Sequence, residues 1–307
     1  MKICRSSVFF CVLGWAAIAL PLRAGLIPLP NSSFESPSVV FVDTNIESWQ
    51  KGPTPPWYVE EGGFLWSQLS GIFKNAAPGK ADHLVNCDRD QAIWLFAVPE
   101  VSLFQDHGSM DWNDPEPSGA FSARFAVGKS YSLAVAVNGG GGGMKPGVTL
   151  LASLYFRDAL SNRVTVASTT ITNSIEAFPN RTHLTDFLVH TPVVKSTDPW
   201  ASMHIGFQLL STVDVELQGG YWDIDNVRLN EREAPVLSNV SVDRAQVSFS
   251  IRSDAGSLVE ILATPDIGAP RTSWVAVATL TNTSGSIDFI DPVRTERQRF
   301  YQARRLD

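Results

Sequence analysis

From residue 120 onward, apolar and polar residues trade places with a period near two, the period of a strand with one buried face. Residues 120–127 alternate loosely, Gly128 and Lys129 interrupt them, and 130–137 alternate again, the layout of two strands joined by a turn. Further runs of this kind lie at 148–156, 164–171, 182–194, 201–210, 213–217 and 221–229. Gly, Pro, Asn and Asp separate them, and each disfavours strand continuation for its own reason of backbone geometry. Apolar spacing of the helical kind is not sustained. Short pieces at 64–73 and 94–104 are the helix candidates, and the second reads equally well as a pair of strands. The pattern predicts an all-β chain built as a sandwich or barrel.

The strand at 221–229 runs into the charged residues Glu231, Arg232 and Glu233, and Ala234-Pro235 opens a new stretch. This places a boundary near 231–235, with a large first domain over 25–231 and a small one over 235–307. The small unit carries β-rich runs at 240–242, 246–252, 257–263, 274–281, 286–290 and 299–304, enough for an Ig- or fibronectin-like sandwich. The opening segment, 1–24, reads differently from the rest. Lys2 and Arg5 precede an apolar run over 8–20, Pro21 breaks it, and Ala24 offers a small residue for cleavage, the order of a secretory signal peptide. That run is short for a bilayer span, so the expectation is an exported chain, secreted or at the cell surface or periplasm, with no membrane insertion after cleavage.

Charge and cysteine usage narrow the function classes. The chain holds 24 basic and 31 acidic residues, and three of the basic ones (Lys2, Arg5, Arg23) lie in the signal-like segment. A balance this acidic argues against nucleic acid as a partner, which needs a basic footprint. Of the three cysteines only Cys87 lies beyond that segment, so no internal disulfide is expected; Cys87 reads as a small buried hydrophobe. The five histidines are scattered, and His183 and His190 stand at an odd spacing that puts them on opposite strand faces. Residues 123–130 match a relaxed phosphate-loop pattern. A strand precedes the glycine there and another follows it, so a hairpin turn accounts for the match. The glycine run 139–143 reads as an inter-strand loop, or as backbone kept bare so that something else can approach.

Two motifs carry a family resemblance. Asn31-Ser32-Ser33-Phe34-Glu35 stands near the start of the first domain, and Tyr221-Trp222-Asp223-Ile224-Asp225-Asn226-Val227-Arg228-Leu229 at its end. Together they resemble the opening and closing strands of galactose-binding-like jelly rolls, a group that includes many carbohydrate-binding modules. The fold class implied is an all-β jelly-roll β-sandwich followed by the small Ig/fibronectin-like module. The stretches 81–96 and 102–106 look like exported bacterial proteins of the PEP-CTERM type, although the chain ends at Asp307 without that type's tail motif.

The resemblance implies a structural calcium where the first and last strands meet, held by Glu35 and Asp225, with Asn31 and Asp223 beside them. Strand parity agrees. Asp223 and Asp225 share it with Val227 and Leu229, and an inward carboxylate needs an ion, a partner or a bulge that turns it outward. Glycan recognition joins aromatic faces to amide and carboxylate groups. Trp57 and Tyr58 beside a proline pair, and Trp112 among Asp111 and Asn113 in a Pro-rich loop, are the candidate platforms. The expected function is non-catalytic binding of a polysaccharide or glycan. The alternatives are a structural or adhesive envelope protein that binds protein or matrix, and a glycoside hydrolase using an acid pair such as Asp88/Asp90 or Asp111/Asp114.

Overall fold

The computed structural model describes residues 25–61, 63–107, 110–111, 114–117, 121–242, 246–292 and 298–306, with side chains of 110–111 and 114–117 left out. The signal-like segment lies outside the described residues. The chain divides into two compact units, the first ending at Val236 and the second starting at Leu237.

In chain order the first unit contains β1 (Gly25–Ile27), β2 (Val42–Asp43), β3 (Gln50–Lys51), β4 (Ser70–Lys74), β5 (Gln91–Phe96), β6 (Ser102–Gln105), β7 (Met110–Asp111), β8 (Asp114–Pro117), β9 (Lys129–Gly141), β10 (Thr149–Arg157), β11 (Arg163–Thr172), β12 (Thr185–His190), β13 (Gly206–Ser211) and β14 (Tyr221–Glu233). A first sheet runs β12-β9-β14-β5-β4-β2, with β1 added to β14; a second runs β11-β10-β13-β6-β3. Every pairing within the two sheets is antiparallel, and the faces that the sheets turn toward each other share one core. This is an all-β sandwich. Phe34, Trp49, Leu95, Leu133, Leu154, Phe207, Trp222 and Leu229 belong to that core.

The ends of the unit are stitched together. Ile27 stands opposite Leu229 and Gly25 opposite Glu231 in the antiparallel β1–β14 pair. The Val227 amide donates to Ser32 O at 2.9 Å. Between Asp225 and Arg228 the register of β14 against β9 shifts, and Asn226 there adopts a positive φ of 49°. This bulge changes the parity of the strand: Trp222 and Ile224 on one side of it, and Val227 and Leu229 on the other, all face the core. Asp223 and Asp225 therefore face the opposite side of the sheet. The expectation that they share parity with Val227 and Leu229 is corrected, because the extra residue resets the alternation.

Several local expectations shift in the same way. The run 120–127 supplies only an isolated bridge, Arg124 to His204, among its described residues; Phe121 and Phe125 enter the core and Ala123 packs against it, the even spacing that alternation gives. Residues 213–217 form a turn, closed by the Leu217 amide on Asp214 O at 2.9 Å. The piece at 64–73 is one 3-10 turn, Trp66–Leu69, leading into β4, and 94–104 contains strands of two different sheets. Gly139–Gly141 are the end of β9 and not a loop. A Cβ at Gly141 would collide with the Tyr221 ring, so the bare backbone admits a close neighbour. Gly128 turns at φ 85° into strand β9, so no helix follows the phosphate-loop-like match.

The second unit has two three-stranded sheets, β15 (Val236–Val242) with β16 (Val247–Arg252) and β19 (Ser286–Asp291), and β18 (Val275–Thr281) with β17 (Leu258–Thr264) and β20 (Phe300–Arg305). Phe249, Ile251, Val259 and Ile261 form its core. Asp254 and Arg305 pair beside it.

Candidate functional site

The seam between entry and exit segments brings Glu35 and Asp225 to the same loop, 87–91. Glu35 Oε1 accepts the Asp90 and Gln91 amides, both at 2.9 Å. Asp225 is fully buried; its Oδ2 accepts the Asp88 amide at 2.6 Å and its Oδ1 the Asn226 amide at 2.7 Å. Three of the four carboxylate oxygens thus face N–H donors. Three of the four carbonyls of residues 31–34 also accept hydrogen bonds: Asn31 O from the Trp49 indole and the Phe34 amide, Ser32 O from the Val227 amide, Phe34 O from the Gln91 amide group. Asn31 itself ties the turn together, its Nδ2 donating to Ser36 O at 2.7 Å and Glu47 O at 2.8 Å. Calcium is held by oxygens turned toward it, and these are turned toward amide hydrogens. The residues do not fit the implied ion, and no cluster of three or more His, Cys, Asp or Glu among the described residues is arranged to hold a metal. What they do is fasten loop 87–91 across the outer face of the first sheet. Burial pushes the Asp225 carboxyl up to about 7, with the Asp88 and Asn226 amides opposing.

Cys87 sits in that loop, half-buried, and donates to Gln91 O at 3.1 Å. Burial, then the charge of Asp225, raises its thiol pKa strongly, which makes it inert as a nucleophile. It packs with Leu84, Ala92, Ala136 and Leu184 in a small apolar cluster beneath the loop. Asp90 pairs with Lys74 at 2.9 Å, and Asp88 is engaged through its amide.

Asp223 lies apart from this seam site. It stands between Trp94 of β5 and Asn138 of β9 in register. Burial holds its carboxyl up at about 7; a hydrogen bond from Asn138 opposes the shift and the Asp82 charge adds to it.

Trp57 and Tyr58 part ways. Trp57 is 45% exposed and lines a cleft of about 420 Å³ with Pro99, Val213, Asp214 and Val215. Its Nε1 donates to Glu100 Oε1 at 2.8 Å, fixing the ring. Tyr58 is not in the cleft wall; its hydroxyl donates to Phe64 O at 2.8 Å and its ring packs edge-on against Trp66 at 4.9 Å. It buttresses the Trp57 loop. Lys51 holds the next segment, its Nζ donating to the carbonyls of Ser67 and Ser70. Desolvation lowers that amine to about 8. Trp112 and Asn113, and the side chain of Asp111, lie outside the described residues. Glu100 and Asp214 had no signal in the sequence as site residues, because each sits in a turn remote from Trp57 along the chain and only sheet crossing brings them near it.

Neither a family model nor a curated protein matches the chain. Solved structures do. A Stig cyclase from Fischerella sp. TAU, in complex with (3Z)-3-(1-methyl-2-pyrrolidinylidene)-3H-indole, is 19% identical over 69% of this chain and 99% of its own, with a TM-score of 0.48. An arabinose-bound α-L-arabinofuranosidase is 11% identical over 68% of this chain and 27% of its own, with a TM-score of 0.40. The xylanase 10B of Clostridium thermocellum, CBM22-1 and GH10 modules with xylohexaose, is 11% identical over 62% of this chain and 28% of its own, with a TM-score of 0.31. These similarities are at the level of a β-rich, jelly-roll-like fold that includes carbohydrate-related proteins. The expectation of a non-catalytic domain is corrected in this respect: cyclases and glycoside hydrolases stand among the similar chains, at 19% identity or less.

Proposed function

We propose that the first unit is an exported glycan-binding sandwich whose ligand lies against Trp57. The observation that carries this reading is the half-exposed indole in the wall of the 420 Å³ cleft, with Asp214 beside it. A sugar ring offers an apolar C–H face to an aromatic and a rim of hydroxyls to carboxylates, and this cleft is lined by both kinds of group. The Glu100 bond pre-positions the indole, so little rotamer freedom is lost on binding. Export rests on the amino-terminal pattern of charge, apolar run and small residue.

Retention on a panel of insoluble polysaccharides, measured for the purified protein and for Trp57→Ala, tests the reading. The wild type is expected to be retained on at least one polysaccharide and the variant to lose at least tenfold in affinity, with an unchanged unfolding temperature. Equal retention of both proteins would sink it.

A further inference from the structure

The outer face of the first sheet carries a second constellation, at the Tyr221 end of β14 and independent of the Trp57 cleft. Four strands lie side by side there, in the order β9-β14-β5-β4. Asp223 sits between Asn138 and Trp94, and two residues away Tyr221 sits between Gly141 and Phe96. Two glycines shape the surroundings. A Cβ at Gly71 of β4 would collide with the Trp94 ring, and one at Gly141 of β9 with the Tyr221 ring. Each ring therefore lies down over bare backbone, one on either side of Asp223. The Trp94 indole is pinned by its bond to Gln68 O at 3.1 Å. Gly71 and Gly141 are three strand spacings apart across the sheet, roughly 14 Å, with the two rings lying over the ends of that span. Phe96 continues the aromatic surface, 5.9 Å from Tyr221 and 5.3 Å from Phe64.

The polar floor is incomplete. Asn138 is only 3% exposed, and its Nδ2 donates to Arg181 O at 2.8 Å. Its Oδ1 is buried with no hydrogen-bond partner. An orphaned buried acceptor costs about 1–3 kcal/mol, a cost that a ligand hydroxyl donated to it would remove.

We propose that this face is a binding site for an uncharged, hydroxyl-bearing ring ligand with a flat apolar side, a glycoside of one or two rings, seated between Trp94 and Tyr221 and hydrogen-bonded to Asn138 Oδ1 and the Asp223 carboxyl. The shifted carboxyl lets Asp223 offer an O–H near neutral pH, while its neighbour Asp82 disfavours an anionic ligand.

Titration of the intact protein with phenyl β-D-glucoside, phenyl β-D-xyloside and phenyl α-L-arabinofuranoside, followed by calorimetry, is the test. Saturable binding of at least one probe is expected, weakened at least tenfold in Tyr221→Ala and in Asp223→Ala and unchanged in Trp57→Ala. The isosteric Asp223→Asn and the smaller change Trp94→Phe, with melting curves for each, guard against a folding defect; both are expected to keep the fold and to weaken binding at least threefold. No saturable binding of any probe overturns the proposal, and so does binding that survives all the outer-face variants. Loss on Trp57→Ala alone would place the ligand in the cleft and overturn it too. Retention on polysaccharide through Trp57 is read separately, so either site can fail without the other.

Discussion

Asp223 and Asp225 hold protons that an unfolded chain would release. Both carboxyls are raised from 3.8 to about 7, burial being the main cause for each. Between those values the folded protein binds more protons than the unfolded one, so this contribution to stability is present at low pH and is lost as pH rises through about 7. Asp223→Asn removes the charge that must be buried. Its unfolding temperature is expected to match the wild type near pH 4 and to exceed it by several degrees near pH 8, read by calorimetry across that range. A wild-type and variant difference that stays constant with pH would contradict the burial argument. Asn226 gives a second test at this scale. Its φ of 49° is tolerated by Asn and Gly and strained for other residues. Asn226→Ala should cost about 1 kcal/mol in denaturant unfolding, and Asn226→Gly clearly less. The acids themselves were legible in the sequence as carboxylates on one strand that needed an explanation. Their face was not, because a single bulged residue reverses the alternation and leaves no mark in composition beyond an Asn that turns commonly use.

At the scale of elements, alternation served well where a strand has one core face and one open face. The run that became β12 was readable for that reason. It served poorly where both faces of a strand are covered. β9 is buried for most of its length, with the core on one side and the apolar cluster around Leu84 and Leu184 on the other, and its glycine end looked like a loop. The seam motif was located correctly in space, since Ser32 and Val227 do meet, but its chemistry was inferred from kinship. The structure gives Glu35 and Asp225 a different task, holding the 87–91 loop by its amides. Trp57 was recognisable as exposed from its proline-flanked loop; Glu100 and Asp214 were not, because their nearness depends on the order of strands in two sheets.

For the whole molecule, an ion bridging the two ends of the first unit would stabilise that entire unit, since it would bind the folded form alone. The amide-facing carboxylates argue for the opposite behaviour. Melting in millimolar calcium and in excess EGTA is expected to give unfolding temperatures within about 1 °C of each other. A fall of several degrees with EGTA would show that the oxygens at the seam are turned over to a cation in solution. Among the described residues no helix is long and apolar enough to cross a bilayer. The pairing of Gly25 with Glu231 has a further consequence. Neighbouring antiparallel residues are about 5 Å apart, so the polypeptide enters and leaves the large sandwich through one doorway. A host protein can carry such a body as a cassette in a surface loop without stretching its own backbone, and the two ends can be ligated to make a permuted chain with only a few added residues.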